Sequence, residues 1–203
     1  MGTGGGPAAR AAARYAPDFS VRLQPDLLDV PDGWRKGRRI FVCSMSDLFH
    51  EDVPDDFIHQ VFATAGRNPR HTFQILTKRA ERLAALAPSL PWSGNIWAGV
   101  TVESARHVHR IDLLRHVPAA VRWLSIEPML GPMPGLDLDG IGWVIVGGES
   151  GRDFRPLDPA WVRDIRDQCS QRKIPFFFKQ MAGVKPIKGL DCLLDGAVHK
   201  AFP

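Results

Sequence analysis

The feature that most constrains this chain is a rhythm. From Phe19 onward, short β-branched or aromatic runs alternate with longer stretches of helical period, the pattern of a mostly parallel sheet wrapped by helices. Runs at 19–23, 39–43, 72–76, 96–100, 121–126, 143–146 and 176–179 read as seven strands. Between them, 54–65 sets Phe57, Ile58, Val61, Phe62 and Ala65 on one helical face, with Pro54 in the first turn and Gly66 as the stop. Residues 80–87 are strong helix formers ending at Pro88. Residues 104–116 carry Val108, Ile111 and Leu114 on one face. The clearest helix is 159–171: Asp158 caps it, Pro159 takes the first position, and Trp161, Val162, Ile165 and Cys169 form the apolar stripe. The expected fold class is α/β, a partial (β/α) barrel of the TIM type.

The pattern divides the chain into a low-complexity N-terminal segment, 1–16, and one barrel domain, 17–203. The Pro/Gly-rich stretch 127–140 reads as a long strand-end loop, and the tail after Gly183 as irregular. The longest apolar runs, 143–146 and 175–178, are far short of the roughly 20 residues that span a bilayer. The Gly/Ala-rich start has no apolar core of a secretory signal, so a cytoplasmic location is expected and no membrane partner. Cys43, Cys169 and Cys192 are too widely spaced for a disulfide framework or a metal cluster. The net charge of +4 is spread along the chain. Its one tight basic cluster, Arg35, Lys36, Arg38 and Arg39, reads first as a solvated turn, with a nucleic-acid contact as the weaker alternative.

In parallel α/β folds the loops at the carboxyl ends of the strands carry the chemistry. Those ends here are polar in succession: Ser44, Ser46 and Asp47; Thr77, Lys78 and Arg79; Thr101 and Glu103; Glu127; Gly147, Gly148, Glu149 and Ser150; Lys179 and Gln180. Six such ends in a row suggest a lined pocket; the alternative is that Glu127, Glu149 and Lys179 pair across the mouth. Gly147 and Gly148 let a backbone pass close to a ligand, or make a tight turn. The run from Ser46 to Asp52 holds metal-ligand types at no recognised metal spacing, and Asp52 serves equally as a helix cap. No metal is assigned. His107 and His109, two apart on a helix, are expected at the surface. Phosphate-loop, dinucleotide-fingerprint and nucleophile-elbow motifs are absent from the sequence.

Three segments at these strand ends are distinctive together: Phe41-Val42-Cys43-Ser44-Met45-Ser46-Asp47-Leu48-Phe49-His50, Leu76-Thr77-Lys78-Arg79 and Val146-Gly147-Gly148-Glu149-Ser150-Gly151. With Phe176-Phe177-Phe178-Lys179-Gln180 and Leu193-Leu194-Asp195-Gly196, they resemble the phage-associated, radical S-adenosylmethionine-like family known for a three-cysteine motif. The resemblance runs from about Tyr15 to Pro203. It implies a radical-enzyme-like barrel from phages, prophages and bacteria, often encoded beside a three-Cys-motif partner protein. It also implies S-adenosylmethionine and a four-iron cluster as cofactors of the full-length member, held through an N-terminal cysteine loop. This sequence lacks that loop, and the first strand with it, and as written is expected to bind no cofactor of this kind. A start codon placed too far downstream is the favoured account of that, with a truncated gene or natural loss of the cluster as the alternatives.

By position within this resemblance, Ser46, Asp47, Gly147, Gly148 and Glu149 would hold the polar parts of the cofactor. Lys78, Arg79, Glu127 and Lys179 would face substrate, and no catalytic residue is assigned. The alternative from another class is a non-catalytic binding protein that keeps the barrel and its charged mouth, docking a partner or nucleic acid through Arg35, Lys36, Arg38 and Arg39. A metal-dependent hydrolase loses ground because no histidine falls at a strand end.

Overall fold

The computed structural model describes residues 20–187 and 189–203; the low-complexity segment 1–16 and Phe19 lie outside them. Six parallel strands form one sheet in sequence order: β1 (Arg39–Val42), β2 (Thr72–Thr77), β3 (Ile96–Thr101), β4 (Val121–Ile126), β5 (Trp143–Val146) and β6 (Phe176–Phe178). Helices α1 (Asp55–Arg67), α2 (Ala80–Leu86), α3 (His109–Arg115) and α4 (Pro159–Gln171) fill four of the five crossovers. The sheet is curled into a half-barrel. Phe41 of β1 comes within 6.2 Å, centroid to centroid, of Trp123 on β4. In a flat sheet three strand spacings, about 14 Å, would separate those strands.

The pleat sorts side chains onto two faces. Ile75, Ala98, Val100, Leu124, Ile126, Val144, Val146 and Phe178 face the helices and are buried. They meet Ile58 and Phe62 of α1, Leu83 of α2, Ile111 and Leu114 of α3, and Val162 and Ile165 of α4 in one apolar core. The concave face is aromatic: Trp143 lies 6.0 Å from Trp97, 5.6 Å from Trp123 and 6.1 Å from Phe177. Gly99 makes this layer possible, because a Cβ there would sit 2.4 Å from the Trp123 ring.

Helix α4 forms as its sequence signals require. The Asp158 carboxylate accepts from Ala160 N at 2.8 Å, Pro159 opens the first turn, and Cys169 is fully buried. The β4–β5 crossover has no helix, and its loop substitutes for one by burying Met129, Met133, Leu136 and Leu138. Gln168 of α4 pins this loop, accepting from Leu136 N at 2.8 Å and donating to Met133 O at 3.1 Å.

Several expectations need correction. Ser20 to Leu23 pairs with no strand, so a seventh strand at 19–23 does not form among the described residues; Pro25 leads instead into a 3-10 turn, Pro25–Leu27. The stretch 104–116 is two pieces, a 3-10 turn Ala105–His107 and then α3. Asp52 does not cap α1, which begins three residues later behind Pro54 with no side-chain cap. The tail is not irregular. Leu193–Leu194 and Ala197–Val198 pair as a hairpin, β7 and β8, across Asp195-Gly196. Both turn residues have positive φ, 53° and 75°, as this tight hairpin turn demands. Asp195 ties the hairpin to α4 through Arg163 and Arg166. The chain then runs antiparallel beside β6, with Phe178 N bonded to His199 O and Ala201 N to Phe176 O.

Candidate functional site

At the end of β1 the chain turns sharply at Cys43, whose φ is 58°, and Ser46 N closes the turn on Cys43 O at 3.1 Å. Burial pushes the Cys43 thiol up, against a bond from Ser46. The turn delivers Asp47, whose carboxylate is fully engaged. Its Oδ1 accepts from Phe49 N at 3.0 Å and Thr77 Oγ1 at 2.7 Å, and its Oδ2 from Lys78 N and Arg79 Nη1, both at 3.0 Å. Asp47 therefore clamps the end of β1 to the end of β2, and Arg79 extends the clamp to Glu51 at 3.1 Å. Ser46 is exposed beside it.

The next three strand ends each present a glutamate held by a cation from elsewhere. Glu103, beyond β3, is mostly buried and lies 2.5 Å from Lys78 Nζ, 3.2 Å from Arg110 Nη1 and 3.3 Å from His107 Nδ1. Burial alone would raise its pKa; the bond and charge of Lys78 outweigh that and hold it below the ordinary glutamate value. Glu127, beyond β4, accepts from Ser125 Oγ at 3.2 Å and from Lys179 Nζ at 3.3 Å, both on Oε2. Its buried Oε1 lies 3.2 Å from the same ammonium without hydrogen-bond geometry, so the attraction there is Coulombic. Glu149, beyond β5, takes Arg155 Nε and Nη2 in a fork and Arg155 N as well, all at 2.9 Å. Those bonds bring its pKa down to about 2.

Gly147 and Gly148 are explained by the chain's own close approaches. A Cβ on Gly147 would lie 2.5 Å from Glu127 Oε1, and one on Gly148 would lie 2.2 Å from Ala182 N. The main chain of Gly148 is gripped by Gln180, whose backbone oxygen and side-chain amide bond it at 2.8 Å each.

The structure thus arranges the sequence-assigned residues in two connected groups. Ser46, Asp47, Lys78 and Arg79 gather at the ends of β1 and β2, while Gly147, Gly148, Glu127 and Lys179 gather at β4 to β6. Glu149 sits at the same edge but pairs with Arg155, not across the mouth with Lys179. Residues that the sequence reading left out of the site connect the two groups: Glu103 takes Lys78, and Arg155 feels the charge of Glu103. Glu103 occupied a strand end and was legible by the same rule as Glu127. His107, expected to be an idle surface residue, turns back onto Glu103 because the 3-10 turn starts four residues earlier than the helix proper.

A cavity of about 940 Å³ opens beside the first group. Ser44, Ser46, Lys78, Arg79 and Thr101 line its polar end, and it continues into an apolar groove along β1. The described residues contain no group of three or more metal-ligating side chains. Cys43 follows β1 in the turn, whereas Cys169 is buried in α4 and Cys192 precedes the tail hairpin. No described helix is long and apolar enough to cross a membrane.

These features define the molecule as an α/β half-barrel whose carboxyl edge is a ring of ion-paired side chains. Over residues 6–203 the chain matches the family described as Protein of unknown function (DUF5131), and it belongs to that family. No curated protein and no solved structure matches it.

Proposed function

We propose that this protein is an enzyme resembling the radical S-adenosylmethionine barrels, and that its carboxyl-edge ring binds the zwitterionic end of a small-molecule ligand. The observation that carries the reading is the succession Glu103–Lys78, Glu127–Lys179 and Glu149–Arg155 at the ends of β3, β4 and β5. A ligand bearing both an ammonium and a carboxylate, as S-adenosylmethionine does, can replace either member of such a pair without leaving the other uncompensated. Lys78 and Lys179 are the members best placed to yield, because both side chains are half exposed while Glu103 and Glu127 are mostly buried.

Of the residues assigned to the cofactor by resemblance, Ser46 is open to contact, while Gly147 leaves room for the Glu127 carboxylate and Gly148 for the main chain of Ala182. Asp47 and Glu149 act one step back, holding Arg79 and Arg155 at the rim. Lys78, Glu127 and Lys179, which the resemblance assigned to substrate, meet the ligand's zwitterionic end in this reading, and Arg79 faces substrate. The cysteines of the described residues do not suit an iron–sulfur cluster, being separated among strand end, helix and tail, so no step is assigned to one.

The test is calorimetric titration with S-adenosylmethionine and, separately, methionine. Binding of both, weakened at least about tenfold by Glu127→Gln and not weakened by Lys179→Ala, is the expected result. No heat from either ligand at about 1 mM, where sites weaker than that cease to matter, would overturn the reading.

A further inference from the structure

Among the described residues β1 has a sheet neighbour, β2, on one side only. In a parallel ladder alternate residues direct both main-chain groups to the same side. Thr72 N bonds to Arg38 O, and Arg39 pairs with Thr72 and Ile40 with Phe73 in the register, so Arg39 and Phe41 turn their N–H and C=O groups outward. No main-chain bond reaches them there among the described residues.

The groove of about 940 Å³ runs along this same edge, with Ile40 and Val42 from one face of β1 and Phe41 from the other in its lining. Phe57 and Val61, which the helical period assigns to the buried face of α1, remain only half buried, and both line the groove. Leu23, Leu27, Val30, Phe41 and Met45 leave 39–71% of their surface exposed around it. An unpaired strand edge beside open apolar surface is the geometry for strand addition.

Charge says what kind of strand fits. Asp29 and Asp32 near the groove are paired with Arg67, and Asp47 with Arg79. Arg22, Arg35, Lys36, Arg38 and Arg39 are exposed and make no ion pair among the described residues. Four of these five lie at the amino end of β1.

We propose that the open edge of β1 receives an extended apolar segment of a partner protein, carrying acidic residues at the end that lies against residues 35–39. The segment's main chain completes the ladder at Arg39 and Phe41, its side chains cover Phe57, Val61 and Phe41, and its carboxylates neutralise the basic cluster. This docking is independent of whether the carboxyl-edge ring is catalytic.

The probe is a labelled peptide of about ten residues, long enough for one strand, with a valine and isoleucine run and three aspartates at one end. Two companions replace the aspartates by lysines, or carry N-methyl groups on alternate backbone nitrogens. The acidic peptide is expected to bind and to protect the amides of Arg39 and Phe41 from hydrogen exchange. The lysine peptide should bind at least about tenfold more weakly, and the N-methylated peptide should not bind. The surface double variant Arg35→Glu/Lys36→Glu, with its fold checked by circular dichroism, should reverse the preference between acidic and lysine peptides. Equal binding of all three peptides, absence of binding, or protection of Arg39 and Phe41 in a self-associated chain without peptide would overturn the proposal.

Discussion

The guanidinium of Arg39, on the first strand of the sheet, lies 4.0 Å above the ring of Phe202, the penultimate residue of the chain. Phe202 also meets Trp143 at 5.0 Å and Phe177 at 5.3 Å, and Trp143 Nε1 donates to Ala201 O at 2.9 Å. The tail thus bridges the two ends of the half-barrel at the aromatic side of its concave face. Replacing Phe202 by Ala removes a partly exposed ring, so it should cost about 1–3 kcal/mol, less than a fully buried phenylalanine. Urea unfolding followed by tryptophan fluorescence checks this, and the native emission should shift to the red as Trp143 meets water.

Gly99→Ala tests the aromatic layer from the opposite side. The new methyl would overlap the Trp123 ring, which is buried and confined by Trp143 and Phe41. A destabilisation of about 1–3 kcal/mol is expected. Gly148→Ala should be worse than Gly147→Ala, because the first meets the backbone of Ala182 and the second meets side-chain atoms of Glu127 and Gln180. The order of thermal midpoints of the two variants decides it.

Asp47 and Ser46 are adjacent yet should separate cleanly. Asp47→Ala strips the acceptor from Thr77, Lys78 N, Phe49 N and Arg79 together, at a cost of about 2–4 kcal/mol. Ser46→Ala, at an exposed position, should stay within about 0.5 kcal/mol of the parent while still weakening S-adenosylmethionine binding. Chemical denaturation and calorimetric titration on the same two variants read both effects.

What the sequence disclosed and what it concealed follow from the range of the interactions involved. Strands β1 to β6 were legible because each is a dense β-branched or aromatic run, and α4 because its cap, proline and stripe are all local. The run 19–23 has the same local composition, but a strand exists only through its ladder, and composition does not reveal that residues 21–23 join none among the described residues. The tail hairpin was legible after all: Asp-Gly between two apolar pairs is a strong local turn signal, overlooked because the flanking strands are only two residues each. At the site, the strand-end rule reached both members of Glu103–Lys78 and of Glu127–Lys179, but one member of Glu149–Arg155. It did not find Arg155, which reaches Glu149 from within a loop, or the long-range bond from Gln180 to Gly148. Nor did composition indicate that the two glycines accommodate the chain's own Glu127 and Ala182.

The Glu149–Arg155 pair gives the rim an acid dependence of definite sign. The bonds from Arg155 make the Glu149 carboxyl harder to protonate folded than unfolded, with a folded pKa of about 2 against an ordinary value of 4.5. Protonation therefore favours the unfolded chain. The pair's contribution is complete above pH 4.5 and is lost as pH falls toward 2. Asp195, held low by Arg163 and then Arg166, shifts in the same direction, so the parent protein alone would not isolate Glu149. Arg155→Ala does, since it removes one pair and leaves the hairpin anchor intact. Urea midpoints measured at pH 5.5 and pH 3 should converge less steeply on acidification in the variant than in the parent, and added salt should shrink the difference because the pair is exposed. A carboxyl-carbon NMR titration of Glu149 should move its midpoint up toward 4.5 in the variant. An unchanged midpoint would mean that the fork to Arg155 does not hold Glu149 in solution.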